Sequence, residues 1–560
     1  MMLATATGLG RLAEHLGVIA AALLAGFAVL AAGRPRLERA RCLAMGLALA
    51  ATPILLVAAI WGSPQLHPLR DRPLVGGLAI LAALAVVGGL AVLIARRPQA
   101  LPLLAVAALP FRVPISSGGD TSNLLIPLYV VVAAGTVAQI AALLRRGRRD
   151  RGRREHSAAG EPGEPGAPVV DMPGDPGDPG EPGAPVADEP AAGLLEWALV
   201  GLVGLYAIQT SYSHDFTKAL EQIVFFYVPF ALLFVLLRRV RWTGRLLLAC
   251  LGVLLGLALV FVLVGFVEYS RRELLLNPKV ISANMVESYF RVNSLFFDPN
   301  IYGRFLAIVM LLVTTAMLWA RRRREVLAAA LVLAVLWGGL MTSISQSSIA
   351  ALLIGLGVLA ALRWDTRRTV AVALALALAG GVFVLVAGSS IRVDLSSSKG
   401  ADQATTGRYD LIKGGVDLFA QRPLTGYGAG SFAVEYRSHQ RSSTDSAVSA
   451  SHTIPITIAA EQGILGLALY VVLLVACLRR LFGGGGGGGG GVRGSPARVA
   501  IATAFVALVL HTMAYADFLE DPITWTLLGI GAALAAGNRR APPPGAAPAV
   551  GAAGGEAQVA

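Results

Sequence analysis

SHTIPITIAAEQGILGLALY, residues 451–470, carries a polar stretch into an apolar one within a single helical turn. Pro455 falls where the first turn tolerates it, and Ser451 or Thr453 is available as the cap. The apolar run continues past Cys477, longer than the ~20 residues that cross ~30 Å of hydrocarbon. Upstream lies a long polar stretch, residues 390–452, with charged groups, hydroxyls, Gly-rich turns and two of the seven histidines. The contrast between these two halves decides the fold class, because the rest of the chain resembles the second half.

The 560 residues are 55% hydrophobic with a mean hydropathy of +0.67. Spans are expected at 16–33, 42–61, 73–95, 100–113, 124–144, 192–211, 219–237, 246–268, 301–320, 325–344, 347–362, 369–389, 453–478, 499–516 and 523–537. The fourth is short and holds Pro102 and Pro110, which predicts a broken or re-entrant helix. The first lacks a small-residue cleavage site and is expected to remain as a helix. Cys42, Cys250 and Cys477 all lie within apolar spans, as small core residues rather than a disulfide or metal set. The fold class is therefore all-α: a polytopic transmembrane helix bundle of about 12–15 spans with one large extracytoplasmic loop.

The formal charge of +13 does not point to nucleic acid, because in such a chain the placement of positive charge outweighs its sum. Basic residues crowd alternate loops: RPRLERAR (34–41), Arg96 and Arg97, RRGRRDRGRR (145–154), RRVRWTGR (238–245), RRRR (321–324), RWDTRR (363–368), the 479–498 loop, and Arg539 with Arg540. The positive-inside rule puts that set in the cytoplasm. It puts 269–300 and 390–452 outside, in a cytoplasmic (inner) membrane. The expected division is 1–144 N-terminal spans, 145–191 a disordered cytoplasmic linker, and 192–389 central spans. Residues 390–452 form the outer loop, 453–540 the C-terminal spans and 541–560 a disordered tail. Within the linker, GEPGEPGAPVVDMPGDPGDPGEPGAP (160–185) repeats glycine almost every third place. It fits either a collagen-like triple helix or an extended Pro-rich spacer. Gly483–Gly491 is a flexible tether.

Charged residues near the outer half of the membrane are costly and usually serve a purpose. FRVNSLFFDPNIYGRFL (290–306) places Arg291, Asp298, Asn300 and Arg304 around the start of a span. Arg304, one turn inside, either snorkels to the surface or serves the site. Arg291, flanked by apolar and aromatic residues, is expected to line a groove. In TTGRYDLIKGGVDLFAQRPLTGYGAGSF (405–432), Arg408 opens an amphipathic helix that leads to a Gly-rich turn. Its planar fork suits phosphate oxygens, though a surface salt bridge would use it equally. His452, at the mouth of a helix, is the best candidate for a general base. His511, inside the penultimate span, has no partner nearby in sequence and is read as a packed histidine. No H-E-x-x-H, C-x-x-C or Walker loop is present.

Four landmarks in order, RVNSLFFDPNIYG (291–303), SISQSSIAALLIG (343–355), TGRYDLIKGGVDLFAQRPLTGYGAGSF (406–432) and SHTIPITIAAEQGILGL (451–467), resemble the bacterial O-antigen ligase and O-antigen polymerase family of membrane glycosyltransferases. Thr453 stands where that family often has Asn, and Ser347-Ser348 where some members have Ser-Arg. The resemblance implies an undecaprenyl-diphosphate-linked glycan as donor and a glycan, lipid or other hydroxyl as acceptor. Membrane lipid is its surroundings, and no nucleic acid, cofactor or metal takes part. It implies Arg291 and Arg408 on the diphosphate and His452 as catalytic base, giving inversion at the anomeric carbon. Asn300, Arg304, Glu461 and Gly463 would support them. Glu461 is expected to lie too deep for direct attack and to brace the helix or an arginine. A polymerase of lipid-linked repeat units shares this chemistry. A transporter or flippase would instead spread polar groups through the bundle.

Overall fold

The computed structural model describes residues 2–60, 66–67, 71–117, 120–158, 191–275, 290–364, 366–368, 408–440, 451, 453–483, 492–515 and 517–537. The expected span at 369–389, residues 390–407 and 441–450 of the expected outer loop, His452, and most of the Gly/Pro linker lie outside these. So do most of the glycine tether and the C-terminal tail.

Eleven helices among the described residues are long and apolar enough to cross a membrane, and two shorter apolar ones accompany them. In chain order the helices are α1 (Met2–Leu30), α2 (Glu38–Ile60), α3 (Pro73–Arg96), α4 (Ala100–Ala108), α5 (Ile126–Ala158) and α6 (Leu194–Gln209). There follow α7 (Phe216–Gln222), α8 (Val228–Arg238), α9 (Gly244–Arg271), α10 (Pro299–Leu318), α11 (Arg323–Ser343) and α12 (Gln346–Arg363). The series ends with α13 (Arg408–Gln421), α14 (Phe432–Gln440), α15 (Ile454–Phe482), α16 (Pro496–Thr512) and α17 (Pro522–Gly537). A π turn, Ile223–Tyr227, fuses α7 and α8 into one span. The fold is an all-α polytopic membrane bundle. The expected fourth span is cut short. Helix α4 stops after nine residues, and the chain turns into an antiparallel hairpin, Val113–Ser117 with Asp120–Leu124. Pro110 and the Ser/Gly run that follows explain the break, since neither continues a helix.

Among the described residues, several of the basic loops that alternate along the sequence are tied together at one end of the bundle. Arg238 pairs with Glu196 at 3.1 Å, both side chains buried, and Arg239 pairs with Glu38. Arg493 donates to the Ala361 carbonyl at 3.1 Å. Arg498 reaches the Leu481 carbonyl and Arg480 the Ala532 carbonyl. At ~1.5 Å per residue, the 20 residues of α10 put its Pro299 end about 30 Å from this belt.

The core that holds the opposite end together is aromatic. Phe261 of α9 meets Phe296 and Phe305 edge-on, with ring centroids 5.1 and 5.7 Å apart. Edge-to-face packing of this kind fixes orientation as well as burying area. It seats the irregular chain that precedes α10.

Candidate functional site

The segment 290–298 is secured before its side chains are aimed. Ser294, with φ 51°, donates its amide to the buried Glu268 carboxylate at 2.8 Å and its hydroxyl to the Phe261 carbonyl at 2.7 Å. Val292 N–H bonds the Thr342 carbonyl at the end of α11. Asp298 then caps α10, accepting from Asn300 N–H at 2.6 Å, with Pro299 in the first turn. Arg291 is thereby held half-buried beside the α11–α12 junction. Its Nε donates to the Ser343 carbonyl and its Nη2 to Asn300 Oδ1, each at 3.3 Å. Arg291 and Asn300 are thus brought together.

Asn300 is also the head of a buried hydroxyl chain. Ser345, the cap of α12, donates to Asn300 Oδ1 at 2.9 Å and lies 2.7 Å from Ser348 Oγ. Ser347 and Ser348 each place Oγ 3.2 Å from His511 Nε2 on α16. His511 is 1% exposed and its ring faces Tyr515. The sequence reading took it as packing alone. Its serine partners are 163 and 164 residues away, so no local spacing could have shown the link.

Arg304 does not snorkel. It is 2% exposed and meets Asp521, equally buried, at 3.1 Å, with Tyr515 beside it. Asp521 in turn accepts from Ile523 N–H at 2.9 Å, capping α17. Taking a guanidinium out of water is so costly that a carboxylate must accompany it. Arg304 therefore ties α10 to α17 and does not point toward the surface.

Arg408 opens α13, among the described elements. His452 lies outside the described residues, but its neighbours on both sides are placed. Ser451 bonds Thr457 Oγ1 through its amide and hydroxyl, and Thr453 Oγ1 donates to the Met513 carbonyl at 3.1 Å. The start of α15 is thus fastened two residues past His511.

Among the described residues, the partners of Glu461 are backbone amides. Its carboxylate accepts from Gly430 N–H at 3.0 Å and Phe432 N–H at 3.1 Å, the turn that opens α14. This is charge-assisted capping across 29 to 31 residues. Beside it, Gly463 breaks α15 with φ 66° and ψ −162°, a conformation almost confined to glycine. Three backbone bonds cross there: Tyr427 N–H to Ala460 O, Gly428 N–H to Glu461 O and Ile464 N–H to Pro423 O, at 3.2, 2.9 and 2.8 Å. Gly426, also at φ 66°, fills the matching place opposite. A Cβ on Gly463 would strike the Leu424 carbonyl, and one on Gly426 the Glu461 carbonyl. The other side of the Gly-rich turn rests on the α6–α7 corner: Tyr212 Oη donates to Thr425 O, Ser213 Oγ to Ala429 O, and His214 meets Glu435.

Below this polar end, an apolar cavity of about 500 Å³ runs between α4, α9, α10, α16 and α17. Phe305 and Ile523 line it near the Arg304–Asp521 pair. Trp242 and Pro496 line it near the basic belt. Arg291 and the capped hydroxyl chain thus lie at the α10 end that Phe305 and Ile523 bring to the greasy void, and the clamped loop lies at the start of α15. Such a site suits a ligand with an anionic head and an apolar tail.

Residues 331–471 match the protein-family model described as O-antigen ligase. The match runs from α11 through the first half of α15 and takes in Ser345, Arg408, Glu461 and Gly463. Arg291, Asn300, Arg304 and His511 lie outside it. It bears out the family resemblance, and it covers three of the four sequence landmarks, 343–355, 406–432 and 451–467. No curated protein matches the chain.

Proposed function

We propose that this membrane protein, which carries an O-antigen ligase domain over residues 331–471, transfers a glycan from an undecaprenyl-diphosphate carrier to an acceptor hydroxyl at the extracytoplasmic face of the cytoplasmic membrane. The family supports glycosyl transfer on lipid-linked glycans in general. The observation that carries the finer reading is Arg291, held by Asn300 and the Ser343 carbonyl at the polar end, with the apolar cavity beneath. The crowding of basic loops at the opposite end supports the orientation through the positive-inside rule.

In the proposed reaction the acceptor oxygen attacks the anomeric carbon while the bond from that carbon to the diphosphate oxygen breaks. The acceptor proton passes to His452, and the lipid diphosphate leaves with its electron pair. Arg291 and Arg408 would meet the charge that builds on the diphosphate, which a preorganised guanidinium stabilises with little reorganisation. Attack from the face opposite the leaving group inverts the anomeric centre, and the scheme needs no metal. Ligation to a distinct acceptor and polymerisation of repeat units differ only in what brings the hydroxyl.

The test uses the full chain in lipid nanodiscs with an undecaprenyl-diphosphate oligosaccharide. Arg291→Lys should lower transfer by roughly 10²-fold, because a point charge replaces a fork. His452→Ala should abolish it with the protein still folded. Transfer at the wild-type rate by His452→Ala sinks the assignment of the base.

A further inference from the structure

The hydroxyl chain between Asn300 and His511 has a direction, and its contacts fix it. Arg291 Nη2 can only donate, so the Asn300 atom it meets at 3.3 Å is the amide oxygen, Oδ1. Ser345 reaches that same oxygen at 2.9 Å and spends its one hydroxyl proton there. The 2.7 Å contact between Ser345 and Ser348 must then take its proton from Ser348. The other outlet for that proton, the Asn300 main-chain carbonyl, is longer at 3.3 Å. By either outlet Ser348 Oγ has no proton left for the imidazole. His511 Nε2, 3.2 Å away, is therefore the donor, with Ser347 Oγ at the same distance as a second acceptor.

The opposite direction would unseat Arg291. With the proton on Nδ1 alone, Nε2 would accept from Ser348, Ser348 from Ser345, and Ser345 would have no proton for Asn300. The Asn300 amide would then turn its NH2 group toward Ser345 and Arg291, setting donor against donor. Ser345, Ser348 and His511 are at most 1% exposed, so bulk water cannot make up for a reversed bond. Gly303, one turn past Asn300, lets α12 come this close, since a Cβ there would lie 2.7 Å from Ser348 Oγ.

We infer that His511 is a positioning residue for the donor: with its proton on Nε2 it sets the direction of the serine chain, which holds the Asn300 amide oxygen toward Arg291. It acts through Ser348, Ser345 and Asn300 and not on the substrate itself. That role rests on Arg291 meeting the donor diphosphate.

Two measurements test it, on the full chain in lipid nanodiscs. The first is nitrogen-15 NMR of histidine-labelled protein without substrate, at about pH 8, above the ordinary imidazole range. His511, assigned by the signal that His511→Gln removes, should carry its proton on Nε2. A bare Nε2 overturns the inference whatever the activity. The second uses the undecaprenyl-diphosphate oligosaccharide, with which His511→Leu should raise the donor KM about tenfold and leave the acceptor KM unchanged. His511→Gln, whose amide keeps an N–H for the serines, should hold the donor KM within about twofold of the wild type. In the His511→Leu background, Ser345→Ala should add less than about twofold, because both act through one chain. Equal damage by Leu and Gln, or the two KM values rising together, marks a packing role and overturns the inference. A protonated Nε2 in a wild type that transfers nothing leaves the direction of the chain standing and sinks the reading of the donor.

Discussion

Replacing Gly463 by alanine probes how the Gly-rich turn is held. At φ 66° and ψ −162° an L side chain costs about 1–3 kcal/mol in backbone strain alone. The new Cβ would also collide with the Leu424 carbonyl, which is backbone and cannot swing aside. Relief requires the 423–428 strand to withdraw, breaking the Ile464–Pro423 bond and weakening the two beside it. At about 1 kcal/mol net for each bond, local undocking becomes easier by about 3–4 kcal/mol. That corresponds to about 10²–10³-fold faster exchange at the amides of Tyr427, Gly428 and Ile464. The apolar core of the bundle is untouched, so its thermal midpoint should barely move. Hydrogen exchange read by mass spectrometry, with a thermal melt alongside, separates the two. Unchanged protection at those three amides refutes the interlock. A melt that collapses as a whole refutes its local character.

Other perturbations report on different parts. Removing Asp521 alone (Asp521→Asn) leaves Arg304 as an unpaired buried charge and should cost about 3–5 kcal/mol. The double replacement Arg304→Met with Asp521→Asn should recover most of the lost melting temperature, and failure to recover argues against a purely paired role. Burial, with Asp517 close by, pushes the Glu520 carboxyl well above the ordinary carboxylate range. The native state then binds its proton more tightly than the unfolded chain, so this stability is full below the ordinary value and lost as pH rises. Glu520→Gln should flatten that decline in a pH series of thermal melts, and an equally steep mutant profile counts against it. Ser345→Ala removes the hydroxyl joining Asn300 to Ser348. Transfer should fall about 5–30-fold through a loosened Arg291, with the melt shifted by only a few degrees.

Much of the fold was legible because lipid imposes a blunt rule: about 20 apolar residues per crossing, with charge sorted by side. Pro102 and Pro110 foretold the short α4, but the hairpin after it was missed, since Val113–Ser117 carries no strong alternation. The site was legible where it is local. Arg291 and Asn300 sit nine residues apart and were named together. What stayed hidden depends on distant partners. Arg304 was read as snorkelling or site-serving because Asp521 lies more than 200 residues on. Glu461 was expected to brace the helix or an arginine, and its backbone partners at Gly430 and Phe432 had no signal in the sequence, because any residue supplies an amide. His511 had no visible role without the serines of α12. Gly463 stood out only as a landmark, since its φ follows from the loop packed against it.

The clamp on the Gly-rich turn has a consequence for biogenesis. Gln209 donates to carbonyls at Thr425 and Gln462, 216 and 253 residues later. Residues are made N-terminus first, so the α6–α7 corner is inserted long before its counterpart exists. The loop cannot lock until Ile464 has emerged and α15 has threaded. Closure of the polar end is therefore among the last events of assembly, and a nascent chain stalled before that point carries a corner with nothing to grip.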